Sequence, residues 1–401
     1  MKIKNKLQAR RKKRNPGIYS RRKNRALPCF SCVSIPVSDL NKSPVNLPSS
    51  FFTLLRVADL TEDSNECHFP IKRFVFYAVL LLSCCQIMVE YATDFYEIVT
   101  VLTIPILASL VCNLTSWGIL RHKRHKLTRL VMKLKHVPAS INTKRSNFVA
   151  FVFILCFPLA YSALYTYDCA MEITGPIEIY GMEIENPVLQ MGFISVSKYL
   201  QFFIDLTLPC SIAYLYCTLC LYCSSGIEIL TQQIARNTPE TFGPREQISI
   251  LRRKAQIDDV LDDLQKVFSL PAFLAILSSL MTCGDLLVFK LIFNRNNLLT
   301  IHLIEVVFYG VAGVPCLTVT LWLAGGLLVE LNNLKEAFYK MAHARFLFFH
   351  ASNEPNCKGE MLEKPEFVLM GCNILPYRRS SILTLVGILL TYTVLITQMW
   401  R

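Results

Sequence analysis

Seven long apolar stretches, near residues 74–89, 98–120, 148–167, 200–223, 267–291, 299–329 and 380–400, dominate this chain. A helix needs roughly 20 apolar residues to cross about 30 Å of hydrocarbon, and each stretch is close to or above that length. No water satisfies backbone groups at that depth, so a helix is the natural spanning form. The predicted fold class is an all-α membrane protein with seven transmembrane helices. Composition agrees, because 53% of the 401 residues are hydrophobic and the mean hydropathy is positive. A soluble domain is not built this way.

The connections fix an orientation. Residues 1–25 and the connection 121–145 (RHKRHKLTRLVMKLKHVPASINTKR) are densely basic. Between them the link EYATDFYE carries Glu90, Asp94 and Glu97 and no Lys or Arg. The link 168–199 holds Asp168, Glu172, Glu178, Glu183 and Glu185 against the single Lys198. Basic flanks stay in the cytosol, so the amino terminus is expected inside, the acidic links outside and Arg401 outside. Arg295 in the link 292–298 is the weakest vote. The stretch 299–329 is long and carries Pro315 at its centre, which admits a hairpin. Each half would be about 15 residues, short for a crossing, and Lys335, Lys340, Arg345, Arg378 and Arg379 follow on what reads as the cytosolic side. One tilted helix extending below the membrane is expected.

The net charge of +13 concentrates in the amino-terminal arm and the first cytosolic connection, where anionic inner-leaflet lipid is the neighbour; no nucleic-acid partner is expected. No cleavable signal peptide is expected ahead of the first apolar run. Residues 1–70 are basic and then rich in Pro, Ser and Asn, which predicts a disordered cytosolic arm ahead of a membrane domain over 71–401. Most of the 16 Cys lie in spans, among them Cys84, Cys85, Cys210, Cys217, Cys220 and Cys223, where they act as small apolar groups. Only Cys169 falls in an outer link, so no disulfide framework is implied. Cys29 and Cys32 have metal-like spacing but no second pair, and neither a metal nor a cofactor is expected.

Two cytosolic extensions, 224–266 and 330–379, are expected to continue the spans as helices. Ile257, Val260, Leu261, Leu264 and Val267 recur at three-to-four spacing, with Asp258, Asp259, Asp262 and Asp263 on the other face. Such an apolar stripe packs either within one subunit or between subunits.

In the last span Thr391, Leu395 and Gln398 lie at i, i+4 and i+7 and share one helical face. Polar side chains in a span face a partner or water rather than lipid. The face is either an interhelical hydrogen-bonding stripe, worth about 0.6–2 kcal/mol per contact, or the wall of an aqueous pore. The sequence Thr391-Tyr392, five mostly apolar residues, Gln398, Met399 resembles the motif that closes the insect gustatory and odorant receptor family. There the pattern is Thr-Tyr, five hydrophobic residues, Gln and usually Phe. Met399 and Thr397 depart from it. The approach through Gly371, Ser380-Ser381 and Leu383, the length and the inside amino terminus are similar too.

The resemblance implies a chemosensory, gustatory-type receptor acting as a ligand-gated, non-selective cation channel in the plasma membrane of sensory neurons. It implies four subunits, identical or mixed, each giving its last helix to a central pathway. Thr391, Leu395, Gln398 and Met399 would line that pathway, with Leu395 and Met399 as apolar rings that gate by dewetting. The outer halves of the spans hold Asp205, Asp285, His302 and Glu305, together with Tyr161, Tyr165, Phe202, Phe289 and Tyr309. Ionisable groups at membrane depth commonly face a cavity, and an aromatic cavity with few polar groups suits a small amphiphilic tastant. The blander reading is that Asp205 and Asp285 are protonated or bonded to nearby backbone and that His302 and Glu305 lie near the interface. A G-protein-coupled receptor would need the amino terminus outside, and no Asp-Arg-Tyr or Asn-Pro-x-x-Tyr motif stands in place. A transporter would show related halves, and no enzyme motif has a credible context.

Overall fold

The computed structural model describes residues 49–60, 70–94, 100–135, 137, 144–172, 177–179, 182–184, 186–293, 299–349 and 367–399. Residues 44–401 form one compact unit and residues 1–43 a separate one; Cys29, Cys32 and the basic arm lie outside the described residues.

Helix α1 (Ser49–Val57) falls inside the segment expected to be disordered. Phe51, Leu54, Leu55 and Ala58 stand at i, i+3, i+4 and i+7 and bury one face in the core. So short a helix is marginal alone and forms because that face is covered. It ends in a left-handed turn at Asp59 (φ 55°), where Leu60 N–H donates to Leu55 O (2.8 Å) and Asp59 N–H to Arg56 O (3.2 Å), a Schellman closure. Helices α2 (Pro70–Asp94) and α3 (Thr100–His122) follow, then the short α4 (Arg124–Leu134) and α5 (Lys144–Glu172). The Asp59 turn is tied to α2 by Tyr77 Oη donating to Asp59 Oδ2 (2.9 Å). It is tied to α3 by Arg121 Nε beside the same oxygen (3.5 Å) and by Trp117 Nε1 donating to Ala58 O (3.2 Å).

The acidic connection expected over 168–199 is largely structured. Cys169 sits buried in the last turn of α5 rather than in a loop. Strands β1 (Ile177–Ile179) and β2 (Met182–Ile184) pair antiparallel, Ile177 opposite Ile184. Helix α6 (Pro187–Phe202) starts well before residue 200. The Asn186 side chain accepts from Val188 N–H (2.9 Å) and Leu189 N–H (3.4 Å), and Pro187 occupies the first turn, a strong start signal. The helix loosens into a π turn over Phe203–Thr207 and continues as α7 (Leu208–Arg236).

Two long helices complete the bundle, α8 (Pro244–Phe293) and α9 (Leu299–Phe349). The stripe Ile257, Val260, Leu261, Leu264 and Val267 is buried, as its spacing requires. Helix α9 runs unbroken through Pro315, so 299–329 is one helix and not a hairpin. Helix α9 carries the second extension as far as Phe349, and residues 350–366 lie outside the described residues. Residues 370–376 instead fold into a tight hairpin of β3 (Met370–Gly371) and β4 (Leu375–Pro376), followed by the last helix α10 (Ser381–Met399). Cys372 and Asn373 both have positive φ, and Ile374 N–H donates to Gly371 O (2.9 Å). That is the turn whose twist suits two strands.

Helix α8 is the spine: it packs against α3, α7, α9 and α10, while α7 lies along α9. Small polar residues let α3 and α8 approach closely. Ser109 and Ser278 hydroxyls are 2.7 Å apart, and Ser116 Oγ reaches Pro271 O at 3.4 Å, the kind of seam that joins helices in lipid. Among the described residues four helical segments are long and apolar enough to cross a membrane, Val152–Met171, Pro187–Arg236, Pro244–Val288 and Leu303–Phe349. Phe76–Val89 and Ser381–Leu395 are shorter apolar helices.

Candidate functional site

Three of the sequence-selected aromatics meet where α5, α6 and α9 converge. Tyr161 stacks on Phe202 (ring centroids 4.6 Å) and meets Tyr309 edge-on (5.8 Å), while Phe202 meets Tyr309 at 5.0 Å. Leu206 and Ala312 close the cluster, with Phe157, Tyr165, Leu286, Ile304 and Phe308 around it. Such pairs contribute about 0.5–1.5 kcal/mol each beyond the area they bury. Polar groups reach this apolar cluster at few points. Tyr161 Oη donates to Glu305 Oε1 (3.4 Å), and Asp205, buried in the π turn, is near enough to act on Tyr161 electrostatically. Lys198 Nζ lies over the Tyr165 ring (5.1 Å) and donates to Gln201 Oε1 (2.9 Å) at the cluster's edge.

The π turn places Asp205 here. Leu208 N–H donates back to Phe203 O, so the ordinary register is offset. The Ile204 carbonyl is taken by Asn113 Nδ2 from α3 (3.1 Å). Single π turns recur at functional positions. Asn113 is fully buried and was legible in principle as a polar residue in a span, but spacing alone gives no hint of a π turn.

Asp285 goes elsewhere. It faces the last helix, where Tyr392 Oη donates to Asp285 Oδ1 (3.3 Å). Gly284 makes room for that ring, since a Cβ there would lie 2.9 Å from it. The Thr391-Tyr392 pair therefore divides: Tyr392 points into the bundle and Thr391 outward. Thr391 Oγ1 satisfies itself on Gly387 O (2.8 Å). Leu395 is 56% exposed, and Gln398 is exposed on the same outer side. The side chains of Phe289, His302 and Met399 lie outside the described residues.

A second feature absent from the sequence reading fastens α10 at its base. Gln265 Nε2 donates to Met370 O (2.6 Å) and its Oε1 accepts from Met370 N–H (3.1 Å), while Ser269 Oγ donates to the same carbonyl (2.8 Å). Tyr377 is buried beneath the hairpin, and burial pushes its phenol well above the usual range, so it stays neutral. Gly325 on α9 lets the chain entering α10 come close, because a Cβ there would lie 2.7 Å from Arg379 N. Arg379 also lies over Trp322 (4.4 Å).

This arrangement of elements has solved counterparts. The insect olfactory receptor OR5 from Machilis hrabei, in complex with eugenol, superposes with a TM-score of 0.65 at 13% identity, covering 87% of this chain and 98% of that one. The same receptor in a second structure gives 0.61 at 13% identity, covering 87% and 100%. The fold is that of these olfactory receptor structures. No family model and no curated protein sequence matches the chain.

Proposed function

We propose that this chain is a chemosensory receptor of the gustatory type that acts as a ligand-gated, non-selective cation channel. It crosses the plasma membrane of a sensory neuron seven times with its amino terminus in the cytosol. Four copies, or a mixture with related subunits, surround one pathway lined by Thr391, Leu395, Gln398 and Met399. The observation that carries this reading is the division of α10 within the olfactory receptor fold. Its Tyr392 side is bonded to α8, while its Thr391, Leu395 and Gln398 side is left open along the chain's surface. A face with polar groups at that spacing favours water over acyl chains.

The aromatic cluster with Glu305 and Asp205 is the ligand site in this reading. OR5 from Machilis hrabei is solved with eugenol, an aromatic amphiphile, and the Tyr161, Phe202 and Tyr309 walls suit a ligand of that class. Ligand binding shifts the channel only by its unequal affinity for closed and open states. The G-protein-coupled alternative is disfavoured by the fold and by the basic cytosolic arm.

Expression in oocytes against a panel of small amphiphiles, with membrane current as the readout, tests the proposal. Ligand-evoked current through excised patches without nucleotide is expected, with altered permeability or rectification on replacing Leu395 and Gln398. Unchanged permeation in both variants removes the pore assignment. An amino-terminal tag reachable in unpermeabilised cells removes the topology.

A further inference from the structure

The basic connection after α3 does not present all its charge to the same surroundings. Arg121 is drawn onto Asp59 and over the Tyr77 ring (4.6 Å). Lys123 Nζ donates to Lys266 O (2.7 Å), Lys133 pairs with Asp263 (2.5 Å), and Lys135 lies over Phe52 (5.5 Å). Arg121 ties α3 to the Asp59 turn and α2, while Lys123, Lys133 and Lys135 hold α4 and its two ends to α8 and α1. Arg124, Lys126 and Arg129 form no ion pair among the described residues.

The same ties give the level of α4. From Lys123 to Lys133 is about 15 Å of helix, yet their partners on α8 are separated by about 4.5 Å of rise. Both ends of α4 are thus tied to one short stretch of α8. That stretch, residues 263–266, lies immediately before the apolar run that begins at 267. In the membrane reading α4 therefore sits at the level of the bilayer surface. It buries Leu127, Leu130, Val131 and Leu134 and turns His125, Lys126, Arg129 and Met132 outward. Met132 is 55% exposed among these cations, and an apolar tip within a basic face fits an interfacial helix.

The geometry points to α4 as a docking surface for anionic phospholipid headgroups of the same bilayer, held by Arg124, Lys126 and Arg129. It rests on the membrane reading above but not on gating or ligand. Each Lys or Arg near an anionic surface is worth about a fivefold preference at low salt.

Native mass spectrometry of the full-length chain in mixed micelles of phosphatidylserine and phosphatidylcholine tests it. Several-fold enrichment of phosphatidylserine on the wild type is expected, falling severalfold in R124Q/K126Q/R129Q. Enrichment should persist in the charge-keeping R124K/K126R/R129K and when the arm cations in residues 2–25 are changed to Gln. Equal enrichment in the triple Gln variant overturns the proposal, and so does loss only on neutralising the arm. Equal uptake of free glycerophosphoserine also overturns it, because the surface would then read a soluble anion. Tag accessibility reports separately on the topology, so failure of either reading is distinguishable.

Discussion

Tyr392 and Asp285 form the polar contact between the last helix and the spine of the bundle. Removing the phenol oxygen leaves the ring seated over Gly284 but deletes the bond. Tyr392→Phe and Asp285→Asn should each lower stability. Their double-mutant cycle should give a coupling of about 0.6–2 kcal/mol, read from thermal denaturation in detergent. Strict additivity would mean that the two side chains do not meet. On the opposite side of α10, Thr391, Leu395 and Gln398 make no such contact with the bundle. Changed singly to Cys, they should make ligand-evoked current sensitive to hydrophilic thiol reagents if that side is wet. Insensitivity at all three positions would place them in lipid.

At the scale of elements, the β3–β4 hairpin decides where α10 begins. Gln265 satisfies both the N–H and the carbonyl of Met370, so Gln265→Ala leaves the carbonyl to Ser269 and takes from the N–H its side-chain acceptor. A loss of about 1–3 kcal/mol is expected, seen as a lower melting temperature. Gly325→Ala puts a methyl group against the Arg379 backbone, which has no rotamer by which to move away. Overpacking of that kind costs about 1–3 kcal/mol. Gly118→Ala in α3 meets nothing within 4 Å and should be neutral or stabilising, since Ala outranks Gly in a helix by up to about 1 kcal/mol. Equal melting temperatures for the Gly325 and Gly118 variants would contradict the close approach at Arg379. The same contrast shows what spacing can reveal: both residues read as helical glycines, and only the neighbouring chain distinguishes them.

At the scale of the molecule, the chain is a bundle wrapped around α8 and α9, each of which is both apolar span and extension. The burial of Ile257, Val260, Leu261, Leu264 and Val267 within one chain answers the question left open by their spacing. That stripe is covered by the subunit's own helices. The outer faces of α9 and α10 are a different matter, because Leu303, Val307, Val311, Val314 and Trp322 remain exposed along one side. Lipid and neighbouring subunits are the two environments such a face can meet in the proposed assembly.

Length and hydropathy by themselves determined where the apolar helices lie, the unbroken run through Pro315 and the amphipathic extension before residue 267. These follow from local rules: backbone bonds must close within a helix, and apolar residues three and four apart share a face. Tertiary structure alone decided the rest. The helix at Ser49–Val57 exists because α2, α3 and their neighbours cover its face. The π turn at Asp205 is held by Asn113 from a distant helix, and Tyr392 rather than Thr391 turns inward because Gly284 leaves space beneath its ring. Each of these depends on a contact between residues far apart in the chain, and no periodicity records such a contact.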